Sequence, residues 1–200
     1  MKASAQFALP FLRRELSRLK RNCVPLWHPL GFVSCVIYEE PRLLTVRVHY
    51  WPLGERRVKN PNWPIHTHCY DLSSFVLAGC VRDVQYDVRS GDSYTVYKVN
   101  YYEGGSEIVD TYSSVSILET VNTVRVAGEQ YAVNRGIYHQ TLVQKDDCAV
   151  TVVVLSNFGK EAPKVLGMAA AVRYPYDRRP FDKDCFWGAV TRALEGSEAV

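Results

Sequence analysis

Two hundred residues, 47% of them hydrophobic, are enough for one globular domain with a full core. A net charge of +3, with the basic residues scattered, argues against a nucleic-acid partner. No apolar run approaches the roughly 20 residues that a bilayer span needs. The first expected element is a helix near residues 5 to 21. There Leu12, Leu16 and Leu19 keep helical spacing against Arg13, Arg14, Arg18, Lys20 and Arg21, which form a solvated basic face. Phe7 to Leu12 is too short for a signal-peptide core and runs into arginines, so a cytoplasmic location is expected. Six cysteines with neither a C-x-x-C pair nor a framework spacing read as reduced thiols, mostly buried, and not as a disulfide or zinc scaffold.

Beyond the helix the chain turns to β-branched and aromatic residues. Phe32–Tyr38 and Leu43–Trp51 predict two strands joined by a turn at Glu39-Glu40-Pro41-Arg42. Proline-rich sequence from Trp51 to Pro64 predicts a loop. Further strands are expected at Ser73–Leu77, Val81–Val88, Thr95–Tyr102, Ser114–Leu118, Val121–Val126, Gln130–Val133 and Thr141–Val143. Turn residues separate them at Arg89–Asp92, Glu103–Ser106, Ala127-Gly128 and Asn134–Gly136. Cys148–Leu155 is almost continuously apolar, as a strand buried on both faces should be. A C-terminal helix is expected over about Phe181–Glu195, with Phe186, Trp187, Val190 and Leu194 on one side. Many short strands at this spacing predict an all-β sandwich or barrel with helical ends, in one domain over residues 1–200.

The chemistry-bearing pattern is His66-Thr67-His68. On a strand, residues at i and i+2 share a face, so both imidazoles point the same way. A third histidine, His139, lies far along the chain, and clustered imidazoles are common metal ligands. Arg47, His49 and Trp51 also share one strand face. If that face lines a barrel, Arg47 can grip a substrate carboxylate, although a structural salt bridge explains it equally well. The thirteen tyrosines are explained for the most part by aromatic packing. Cys69 should face away from the two imidazoles, and Tyr138 away from His139.

His66-x-His68 followed by Gly79 resembles the first signature of the cupin superfamily, G-x5-H-x-H-x3,4-E-x6-G. Gly128, Gly136 and His139 fit the second, G-x5-P-x-G-x2-H-x3-N, with Asn134 at the proline position and Val143 at the asparagine position. The likeness covers roughly residues 43 to 157. Its upstream glycine is unmatched, since Gly54 lies too far before His66. Its glutamate position falls on Leu72 or Ser73, neither a carboxylate. Asp71, one residue early, faces away from the histidines on a regular strand but a bulge can bring it round.

The resemblance implies a cupin-like double-stranded β-helix, or jelly-roll barrel, with its core over about residues 32–157 and short helices at both ends. It further implies a divalent metal on His66, His68 and His139, with Asp71 as a fourth ligand or a partner to the ligands. Asp71 and Arg47 are the candidate catalytic residues. Iron(II) is the favoured metal, with zinc, nickel or manganese as alternatives. The expected function is an iron(II) oxygenase acting on a small polar or amino-acid-like molecule. A non-redox isomerase or lyase using zinc or nickel, and a non-enzymatic ligand-binding module, are the alternatives. No membrane or nucleic-acid partner is expected, and a homodimer follows by analogy with the family.

Overall fold

The computed structural model describes residues 4–168 and 172–197, and in it the basic N-terminal stretch is helical as expected. A 3-10 turn at Ala5–Ala8 leads into α1, Leu9–Asn22. Pro10 sits in the first turn, where its missing N–H breaks no helical bond, and Lys20 and Arg21 complement the dipole at the other end. Leu12 and Leu19 are fully buried, whereas Arg14 and Arg18 stay in solvent and pair with Glu15.

Eleven strands follow among the described residues: β1 (Leu26–Trp27), β2 (Val33–Glu40), β3 (Leu44–Trp51), β4 (Asp71–Ala78), β5 (Cys80–Tyr102), β6 (Gly105–Val126), β7 (Gln130–Val133), β8 (Tyr138–Leu142), β9 (Ala149–Ser156), β10 (Lys164–Gly167) and β11 (Arg173–Asp177). The last element is α2, Lys183–Gly196, capped by the Asp182 carboxylate accepting from the Cys185 N–H at 2.6 Å. Pairing is antiparallel throughout. One sheet runs β1-β2-β3-β9-β4-β7 and the other β10-β5-β6-β11, with β8 added to β5. This is the all-β arrangement of antiparallel sheets with terminal helices that the sequence predicts.

The strand predicted to be central is central. β9 pairs with β3 on one side and β4 on the other, and every residue from Ala149 to Leu155 is buried. Alternation sorts the two faces of this sheet. Val46, Val48, Tyr50, Val152 and Val154 pack outward against Phe186, Trp187, Val190 and Leu194 of α2 and against α1. Trp51, Leu72, Val76, Val153 and Leu155 turn inward. Burying each such side chain stabilises by about 1.5–3 kcal/mol, which is why the helices stay docked.

The structure departs from the sequence reading in the second sheet. Val81–Val88 and Thr95–Tyr102 are the two halves of one strand, β5, and Ser114–Leu118 and Val121–Val126 both belong to β6. Arg89 pairs with Ser116 and Tyr94 with Val115, so residues 90–93 bulge out of the ladder instead of reversing the chain. The strands also continue past residue 157: Arg173–Asp177, within a segment without a predicted role, pairs with β6 as β11. The cysteines are less buried than expected. All six are free, but only Cys35 is fully buried, and Cys148 and Cys185 are exposed. No described helix is long and apolar enough to cross a membrane.

Candidate metal centre

His66 and His68 are not on a regular strand, as their spacing suggested. They lie in an extended segment wedged between β8 and β10, and His66 bridges to both His139 and Val165. The pinning is by backbone. The His66 N–H donates to the His139 carbonyl at 3.0 Å, and the His139 N–H returns the bond at 2.9 Å. Thr67 N–H donates to Lys164 O at 2.8 Å, and the Lys164 N–H donates to the Thr67 hydroxyl oxygen at 2.9 Å. Gly136 N–H donates to His68 O at 3.1 Å, and Gly136 itself has φ +81, a conformation that a residue with a Cβ rarely adopts. The second glycine of the motif thus holds the turn that brings β8 to the first two histidines. Gly79 serves the other end: at φ +75, an added Cβ would stand 2.1 Å from the Cys148 carbonyl oxygen.

The three rings converge. One ligand atom from each of His66, His68 and His139 lies within 4.8 Å of the others. Nε2 of His66 is 3.0 Å from Nε2 of His68, and the His139 ring centroid is 4.6 and 4.8 Å from theirs. His66 Nδ1 is 2.8 Å from the Pro64 carbonyl, to which it donates, so the neutral ring turns a lone pair on Nε2 toward His68. Burial is the main cause that lowers the proton affinity of all three; at His66 the Pro64 hydrogen bond partly opposes it, while at His68 and His139 the neighbouring imidazoles add to it and the affinity falls well below the usual histidine value. Neutral imidazole is the ligating form.

A divalent ion fits this donor set. Two nitrogens held at about 2.1 Å and cis on an octahedral ion stand about 3.0 Å apart, which is the His66–His68 separation. Three nitrogens capping one face of such an ion all stand about 3.0 Å apart, so the widest spacing in the triad, within 4.8 Å, closes by up to about 1.8 Å on binding. His68 Nδ1 and both ring nitrogens of His139 are buried without a hydrogen-bond partner. Each such atom costs about 1–3 kcal/mol when unsatisfied, and an ion would relieve those that face it.

The rings of His66 and His68 form part of the wall of a cavity of about 760 Å³, within the range of small-molecule sites. Arg47 lines it too: the inward face of β3 carries Arg47, His49 and Trp51, while Val46, Val48 and Tyr50 face the helices. Asp71 is elsewhere. Its carboxylate accepts from the Arg135 N–H at 2.8 Å and from the Asn157 amide at 2.9 Å, and it stands outside the histidine group. No bulge turns it inward; it holds the end of β4 to the loop before Gly136. Tyr138 faces away from His139, into the cluster of Ile65, Val84, Tyr86 and Leu166, as alternation requires. Cys69 lines the cavity but is not among the grouped ligand atoms.

Several cavity residues were not singled out from the sequence. His28 stacks on Phe32 at 4.2 Å and accepts from the Leu30 N–H at 3.3 Å. Tyr70 stacks on His68 at 4.7 Å, and Arg178 and Pro180 reach the cavity from beyond β11. The alternation at His66-x-His68-x-Tyr70 was a usable signal for Tyr70. His28, like the triad, is kept neutral by burial, and His49 is pushed down to about 3 by burial and then by Arg47.

The sequence matches no protein-family model and no curated protein. Among solved structures, the chain is similar to a variant of Streptomyces PAC13 with uridine, at 8% identity over 75% of this chain and 88% of that one, TM-score 0.42. It is similar to an RmlC-like cupin from Shewanella frigidimarina, at 13% identity over 66% and 83%, TM-score 0.37. It is also similar to the hydroxypropylphosphonic acid epoxidase from S. wedmorenis, at 15% identity over 68% and 56%, TM-score 0.41.

Proposed function

We propose that this chain is a metal-dependent enzyme of the cupin type, an iron(II) oxygenase acting on a small polar or amino-acid-like molecule, with the metal on His66, His68 and His139. The observation that carries this reading is the convergence of three neutral imidazoles, His139 buried and His66 and His68 half-buried on the wall of a cavity large enough for a small molecule. A bound divalent ion supplies Lewis acidity and, if iron, a site for dioxygen chemistry. The chain's own residues do the rest. Pro64 fixes the His66 tautomer, the reciprocal His66–His139 backbone bonds set the two rings side by side, and Tyr70 stacks against His68. Apolar wall residues such as Leu26, Trp63 and Val165 exclude bulk water and strengthen every polar contact made inside.

Elemental analysis of protein purified without chelator tests the metal. One ion per chain is expected, falling at least tenfold in His68→Ala; metal-free wild-type protein, or unchanged content in the variant, overturns the reading. Oxygen uptake by the iron-loaded protein tests the reaction class. Turnover by the zinc- or nickel-loaded protein without oxygen consumption moves the assignment to an isomerase or lyase.

A further inference from the structure

The wall of the cavity is basic. Arg47 enters it from the inward face of β3, and Arg178 from the segment after β11, held by its own N–H donating to Gly104 O at 3.0 Å. Both guanidinium groups are close enough to His28 to disfavour a proton there, and Arg47 does the same to His68. Nε of Arg47 is buried without a hydrogen-bond partner. The third lining cation, Lys59, is occupied: its ammonium donates to the Tyr174 carbonyl, with Glu107 nearby. Among the described residues, no aspartate or glutamate lines the cavity. A guanidinium taken from water without an anionic partner carries a desolvation cost that an incoming anion offsets, and its planar fork suits a two-oxygen acceptor. Along the rest of the wall, Trp63, Val99 and Ile108 give apolar surface, and the exposed Tyr101 and Tyr102 mark the mouth.

We infer that the cavity takes a small molecule with one anionic head, a carboxylate or a phosphate, held by Arg47 and Arg178, with its body along Trp63 and its other end at His66 and His68. This rests on reading the cavity as the substrate site of the histidine centre. The ligand is an anion with an apolar or aromatic body; a cationic ligand would meet two guanidinium groups of like charge, and a neutral one would leave the buried Nε of Arg47 without an anionic partner.

The test is calorimetric titration of chelator-treated and of metal-loaded protein with benzoate and phenyl phosphate, against the neutral benzamide. On chelator-treated protein, one of the anions binds about tenfold or more tightly than benzamide, and the two anions report whether the head is a carboxylate or a phosphate. Arg47→Gln and Arg178→Gln each lose about tenfold in anion affinity, Arg178→Lys keeps part of it, and Arg14→Gln on α1 changes nothing. Parity between anions and benzamide, or no measurable anion binding, overturns the inference. So does a preference seen only in metal-loaded protein, because the ion then makes it. Wild-type preference decides the matter even where an arginine variant does not fold. Failure of metal uptake with the anion preference intact sinks the metal reading alone.

Discussion

Acidification should destabilise the chelator-treated protein through histidines held in low-polarity surroundings. His28, His68 and His139 have proton affinities well below the usual histidine value, and His49 is pushed down to about 3; burial is the first cause in each. The unfolded chain takes protons near pH 6.5, where these four folded imidazoles refuse them. Their contribution to stability is therefore complete above pH 6.5 and is lost as the pH falls below it, for His49 down to about 3. One pH unit below 6.5 costs about 1.4 kcal/mol for each such group. Four groups at pH 5.5 cost about 5 kcal/mol, against a total stability of about 5–15 kcal/mol for an ordinary domain. Urea titrations followed by tryptophan fluorescence at pH 7.5, 6.5 and 5.5 measure this. His49→Phe removes one of the four from a site already packed against Phe32 and Trp51, so its acid loss should be smaller by about 1.4 kcal/mol. Unfolding free energies that agree within about 1 kcal/mol between pH 7.5 and 5.5 would refute the argument.

Asp71→Asn should leave metal content unchanged and cost about 1–3 kcal/mol, because the carboxylate accepts from Arg135 and Asn157 and lies outside the histidine group; elemental analysis and urea titration check both. Gly79→Ala should destabilise by about 3 kcal/mol or more, since it adds left-handed strain to a 2.1 Å approach on Cys148 O; a melting temperature close to wild type contradicts this. Phe186→Ala removes a fully buried ring between α2 and the first sheet and should cost about 3–5 kcal/mol while metal content holds, measured by the same two methods.

Local chemistry made much of the fold legible. The period of Leu12, Leu16 and Leu19 marks α1, the apolar run of β9 marks its central place, and alternation puts Arg47, His49 and Trp51 on one face. Each follows from the helix or strand period alone. The length of β5 was hidden because Ser90-Gly91-Asp92-Ser93 carries turn residues. Such residues serve a bulge as well as a reversal, and only the partner strand decides between them.

The candidate site divides the same way. The sequence by itself determined which residues were able to act: two histidines two apart, glycines at Gly79, Gly128 and Gly136 that allow positive φ, and an arginine sharing a strand face with His49 and Trp51. Tertiary structure alone decided which of them meet. His139 reaches His66 through paired backbone bonds, Asp71 is drawn off by Arg135 and Asn157, and His28 and Arg178 arrive from the two ends of the chain. The reason is physical. Side-chain direction along one strand follows from local geometry, whereas convergence of distant segments depends on which strands pair and in what register, and long-range burial selects that.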